Sequence, residues 1–139
     1  MDFLKKLSPL GLLLLRCGLA LAFITHGYPK LFVDPDKFVE AFQNMGLPGY
    51  FAYITGAIEL SGGAALALGV FTPVAGLLLL LDMIGAMWKY NFHEGIYAVS
   101  EYELPMVLGL AALALATTGP GPISLDHLIF RCKEPRPST

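Results

Sequence analysis

Leu66-Ala67-Leu68-Gly69-Val70-Phe71-Thr72-Pro73-Val74-Ala75-Gly76 is the stretch on which the fold turns. Gly69 stops one helix, and Thr72 at N-cap with Pro73 at the first helical position starts the next. On either side lie apolar runs, about 48–71 and 72–89, each near the ~20 residues needed to cross a hydrocarbon core. Helices joined by so short a turn are antiparallel neighbours. Further out, runs at about 8–28 and 102–118 supply two more spans. The expected fold is all-α, an integral membrane four-helix bundle forming a single transmembrane domain over residues 1–139.

Composition agrees with that reading. Of 139 residues 55% are hydrophobic and 14% charged, with a mean hydropathy of +0.63, against roughly 25% charged in an ordinary soluble domain. The polar excess that keeps a chain disordered is missing. Nine basic residues against eleven acidic ones give a net charge of −2, so no cationic surface is available for nucleic acid. Cys17 and Cys132 stand at opposite ends of the chain, outside any redox-dithiol or zinc spacing.

The first run follows Lys5 and Lys6 as a secretory signal would, but it carries Arg16 and lacks a small-residue cleavage site, so it reads as a retained helix. Between the first two spans, Asp34 to Gly46 has an N-cap, a Pro at N1 and a Gly stop. Phe38, Phe42 and Met45 share one side of it, the pattern of a short amphipathic helix in the interface or of a cap over the bundle mouth. Gly119-Pro120-Gly121-Pro122 breaks the fourth helix, Ser124 caps a short apolar turn, and the polar tail 131–139 reads as flexible. Lys5, Lys6, Arg131, Lys133 and Arg136 lie on the terminal side, against Lys30, Lys37 and Lys89 opposite, which places both termini in the cytoplasm.

Ionisable residues inside the spans are the candidates for function. At 1.5 Å per residue, Arg16 lies about 12 Å into its helix, and Glu59 and Asp82 about 15 Å into theirs. A lone charge at mid-bilayer costs about 2.5–3.5 kcal/mol, so the expectation is an inward Arg16–Glu59 pair with Asp82 close by. Small residues share these stripes, and Gly62 and Gly63 are the expected points of close helix packing. Such a network fits a functional site and a device that fixes helix register equally well.

A second group lies at the end opposite the termini: His26, Lys30, Lys89, His93, Glu94, Glu101 and Glu103. Trp88 and all the tyrosines (Tyr28, Tyr50, Tyr53, Tyr90, Tyr97, Tyr102) fall at that same end. This one-sided distribution reads either as an aromatic-lined pocket opening outward or as interfacial anchoring. The candidate ligand-binding residues are Arg16, His26, Lys30, Glu59, Asp82, Trp88, His93 and Glu103, with His26, Glu59 and Glu103 the candidates for moving protons. The histidines have neither HxxxH nor ExxH spacing, so no metal is expected. No nucleophile elbow, P-loop, dinucleotide fingerprint or haem motif is present.

Arg16, the run Phe23-Ile24-Thr25-His26-Gly27-Tyr28-Pro29-Lys30-Leu31, the run Glu59-Leu60-Ser61-Gly62-Gly63 with Leu66, Gly69 and Thr72, and Gly119-Pro120-Gly121-Pro122-Ile123-Ser124-Leu125-Asp126 together resemble the DoxX family of small bacterial inner-membrane proteins. The resemblance runs from about Leu10 to Asp126. It implies a four-helix membrane bundle in the bacterial cytoplasmic membrane, with Arg16, His26, Lys30 and Glu59 at the family's polar positions. The family takes its name from a subunit of an archaeal thiosulfate:quinone oxidoreductase, and another member resembles a membrane component linking thiol or superoxide detoxifying enzymes. The absence of a cysteine pair here speaks against dithiol chemistry in this chain itself.

Three readings follow. The first is the membrane subunit of a redox system, quinone-linked or tied to thiol and oxidative stress, which binds a small amphipathic ligand at its outer end while a partner protein supplies the redox centre. The second is a non-catalytic scaffold or assembly factor. The third is a small proton or solute transporter, which with four short helices would require a homo-oligomer.

Overall fold

The structure is a computed structural model that describes residues 2–94 and 99–131. Side chains at 2–5, 90–94, 99, 101, 130 and 131 lie outside that description, and with them His93, Glu94, Glu101, Tyr90, Tyr97 and the tail 132–139. Among the described residues six α-helices follow in order: α1 (Asp2–Tyr28), α2 (Pro35–Asn44), α3 (Tyr50–Leu68), α4 (Thr72–Glu94), α5 (Val99–Thr118) and α6 (Leu125–Arg131). A single π-helical turn, Pro29–Val33, extends α1. Among the described residues, three helical stretches are long and apolar enough to cross a membrane, Lys6–Val33, Tyr50–Leu68 and Thr72–Lys89, and Tyr102–Thr118 is a shorter apolar helix.

The first span therefore runs past Tyr28, where the apolar run was expected to end. Pro29 has no N–H to return to the carbonyl of Thr25, which breaks the ordinary ladder at that point. The chain responds by widening, and the Asp34 N–H reaches back 3.1 Å to the Pro29 carbonyl. Lys30 sits on this widened turn.

Close approach of backbones fixes the packing order. Helix α1 lies along α3, α3 along α4, and α4 along α5. A Cβ at Gly27 would stand 2.7 Å from the Leu60 nitrogen and 2.8 Å from the Gly56 oxygen. One at Gly63 would meet the Ala20 oxygen at 3.1 Å, one at Gly62 the Leu79 side chain at 2.9 Å, and one at Gly76 the Ala112 oxygen at 2.7 Å. Without hydrophobic drive between helices in lipid, such contacts supply the association energy through dispersion and short approach. Leu19, Ala20, Phe23, Leu66, Ala75, Leu79, Met83, Ala112 and Leu115 fill the centre.

The α3–α4 hairpin forms as its punctuation predicts, with one difference. Gly69 takes a left-handed conformation (φ 67°), and the Val70 N–H returns 3.0 Å to the Ala65 oxygen, a turn that a side chain would strain. Thr72 is not the cap, since its buried hydroxyl has no hydrogen-bond partner among the described residues. The cap comes from Asp126, whose carboxylate accepts the N–H groups of Phe71 at 3.0 Å and Thr72 at 3.2 Å, a negative group at the positive end of α4. The Asp126 N–H in turn donates to the Gly69 carbonyl at 2.9 Å. Ser124 caps α6 as its position implies, accepting the His127 N–H at 3.1 Å.

Helix α2 packs against α3 and the π-turn, with Phe38, Phe42 and Met45 half-buried and Asp36, Lys37 and Glu40 exposed. Asp34 stands at its N-cap position without a side-chain cap bond. The Lys89 ammonium lies 3.9 Å from where a Gly46 Cβ would be, so α4 meets the turn that closes α2.

Candidate functional site

Lys30, Glu59 and Asp82 converge inside the bundle. Antiparallel packing of α1 on α3 sets Gly56 against the Lys30 Cβ. From there the Lys30 side chain extends one turn further and donates to Glu59 Oε2 at 2.6 Å. The Glu59 side chain is 3% exposed and that of Lys30 15%, so the bond is largely shielded from water and stronger for it. Asp82, half-buried on α4, lies close enough to Glu59 and Lys30 for their charges to act on it. Two carboxyls and one ammonium leave a surplus negative charge unless a proton is held between the acids.

Arg16 takes no part in this group, and the expected Arg16–Glu59 pair is corrected. Its guanidinium donates to the Pro120 carbonyl at 2.7 Å and the Ile123 carbonyl at 2.8 Å. It also sits 2.8 Å from where a Gly69 Cβ would be. Gly69 follows Glu59 by ten positions, about 15 Å of helix at 1.5 Å per residue. The depth count went wrong because α1 starts beyond the level of the α3–α4 turn, so its first turns do not measure depth in the bundle.

Of the remaining candidates, three are exposed and one lies outside the described side chains. His26 is exposed on α1, since its neighbour Gly27 is the residue turned to α3. Glu103 is exposed near the start of α5, Trp88 is 67% exposed, and the His93 side chain lies outside the described residues. Tyr28, Tyr50 and Tyr53 are exposed; Tyr28 meets Phe32 in a tilted pair at 5.3 Å between ring centres, and Tyr50 stacks on Phe51 at 5.0 Å. These three rings lie at the surface of the described bundle.

Sequence reasoning missed the role of Asp126 and the carbonyls that hold Arg16. The available signal was a carboxylate just beyond a Gly-Pro turn, on the side where the α3–α4 hairpin also turns.

Apolar spans, glycine-mediated packing and a buried ion pair define a small helical membrane protein with a polar site in its interior. The model of the DoxX family matches residues 11–94. The chain is 32% identical over 131 residues to "Putative oxidoreductase CatD" of Bacillus subtilis, covering 94% of this chain and 96% of that one. It is also 32% identical over 133 residues to "Inner membrane protein YqjF" of Escherichia coli, covering 91% and 97%. It is 31% identical over 140 residues to "Uncharacterized membrane protein Rv3486" of Mycobacterium tuberculosis, covering 89% and 84%. No solved structure matches. The chain belongs to the DoxX family.

Proposed function

We propose that this protein is the membrane subunit of a redox system in the bacterial inner membrane, and that Lys30, Glu59 and Asp82 receive the polar head of a small amphipathic ligand of the quinone type. The Lys30–Glu59 bond of 2.6 Å with Asp82 beside it carries the reading. An ammonium has three donors, of which Glu59 takes one, so the same group can donate to a ring carbonyl. Glu59 and Asp82 can accept from the hydroxyl of the reduced form and hold the proton that accompanies reduction. A bound quinone supplies the two-electron, two-proton chemistry, and a partner protein the electrons. The π-turn at Lys30 adds support, because such helix irregularities recur at functional sites. So does a relative named a putative oxidoreductase over nearly its whole length.

Native mass spectrometry of the detergent-extracted protein, followed by titration with a short-chain quinone, tests this. One quinone-like molecule per chain, lost on Lys30→Met, is the expected result. A chain that carries bulk phospholipid alone and does not respond to titration rejects the ligand. It would favour the scaffold reading, which already has one observation in its favour: Arg16 and Asp126 bond to backbone groups, an arrangement that serves structure at that end of the bundle.

A further inference from the structure

Helix α6 is tied to the bundle through its polar side. The Asp126 N–H reaches the Gly69 carbonyl at 2.9 Å, and the Asp126 carboxylate accepts the Phe71 and Thr72 N–H groups at 3.0 and 3.2 Å. Asp126 is 8% exposed, as is Ser124 just before the helix. Along the same helix, Leu128 and Ile129 follow Leu125 by three and four positions, so these three side chains share one stripe. They are exposed by 63, 53 and 40% respectively. The polar side is taken up by the α3–α4 turn, and an apolar side is left outward.

The surroundings of α6 are apolar as well. Leu68 and Phe71, on either side of Gly69, and Ile123, just before α6, are exposed large apolar residues of the same end. With seven residues, α6 is about 10 Å long, far short of the ~30 Å of a hydrocarbon core. A short helix with one apolar stripe, pinned by its polar side to the end of a spanning bundle, fits the plane where headgroups meet acyl chains.

Charge selects among lipids. Helix α1 passes Gly121 at Leu12 and Gly69 at Arg16. Lys6, exposed and six residues before Leu12, therefore stands about 9 Å beyond that contact. In the sequence Lys5 precedes it, Arg131 ends α6, and Lys133 and Arg136 follow, with Asp2 and Glu134 as the acidic residues of these two terminal stretches. The carboxylate of Asp126 is engaged by backbone N–H groups. The balance beside the apolar stripe is cationic, and cations next to an interfacial helix draw anionic headgroups.

We propose that α6 is an interfacial anchor whose Leu125, Leu128 and Ile129 sit in the leaflet at this end, and that the basic residues flanking it select anionic phospholipid there. The surface is separate from the Lys30–Glu59 site, since Glu59 stands ten residues, about 15 Å, along α3 from Gly69. It holds whether or not a quinone binds.

The test uses the intact chain with its own cysteines removed by Cys17→Ser and Cys132→Ser. Nitroxide labels are placed through Leu128→Cys and, separately, Ile129→Cys, and the protein is reconstituted in phosphatidylcholine vesicles containing phosphatidylglycerol. Both labels are expected to collide readily with oxygen and poorly with a water-soluble nickel chelate, at a depth of about 5–10 Å. In a second measurement the delipidated protein is titrated with phosphatidylglycerol and phosphatidylcholine together and the bound lipid is read by native mass spectrometry. A preference of about tenfold or more for phosphatidylglycerol is expected, falling toward none in Arg131→Gln/Lys133→Gln/Arg136→Gln. Labels that meet the nickel chelate would put α6 in water, and labels shielded from both reagents would put a second copy or a partner protein over it. Either result overturns the proposal, as does equal binding of the two lipids or a preference that the triple variant keeps.

Discussion

Lys30 and Glu59 are individually costly in a membrane and tolerable as a pair. Removing one partner leaves the other as an uncompensated buried charge, a change of about 3–5 kcal/mol in comparable buried pairs. Lys30 is partly exposed, which argues for the lower end of that range. Lys30→Met is therefore expected to lower the thermal midpoint in detergent clearly, and Lys30→Met/Glu59→Gln to recover most of the loss. A double variant whose loss is the sum of the two single losses would show that the pair is not coupled. Asp82→Asn keeps the pair and removes the surplus negative charge, so it is expected to fold as well as wild type while changing ligand binding.

Glycine positions separate helix contacts that carry the bundle from those that do not. At Gly27 a methyl group would collide with the backbone of α3, which cannot move aside as a flexible side chain can. Gly27→Ala is expected to cost about 1–3 kcal/mol by overpacking and to disturb the Lys30–Glu59 distance one turn away. Gly85 meets nothing within 4 Å, so Gly85→Ala is expected to be neutral or to stabilise by up to about 1 kcal/mol. Thermal unfolding of both variants checks the contrast, and equal losses would contradict the packing described.

Helix starts allow a similar contrast. Asp126 caps α4 from a distance, whereas Thr72 at the same terminus has no hydroxyl partner among the described residues. Asp126→Ala is expected to cost about 1–2 kcal/mol, and Thr72→Val less. The reverse order, read from the same unfolding curves, would make Thr72 the cap after all. Phe71 adds to the case, because its positive φ of 49° is a strained state for a bulky residue that surrounding contacts must hold.

For the whole molecule, the ends of the chain converge. Helices α1 and α6 both meet the α3–α4 turn, through Arg16 beside Gly69 and the Asp126 N–H on the Gly69 carbonyl. We propose that both termini lie on this side and that it faces the cytoplasm, because the terminal segments of the sequence carry the excess of Lys and Arg. A fluorescent protein fused to either terminus is expected to fluoresce, and alkaline phosphatase fused to either is expected to be inactive. Active phosphatase at both ends would invert the molecule.

The apolar runs and the Gly69-Thr72-Pro73 hairpin were legible in the sequence, because hydropathy and turn chemistry are local properties read over a few residues. So was the presence of ionisable groups at mid-membrane, since composition alone makes a charge conspicuous there. Which charges meet was not legible. That depends on the register of α1 against α3, which the close approach at Gly27, Gly56 and Gly63 sets and which moves Arg16 to one end and Lys30 onto Glu59. The capping of α4 by a residue more than fifty positions away likewise arises only when the chain ends fold back together. Local pattern decided that this protein is a helical membrane bundle, and tertiary packing, acting over distances that no sequence window spans, decided where its buried charges are joined.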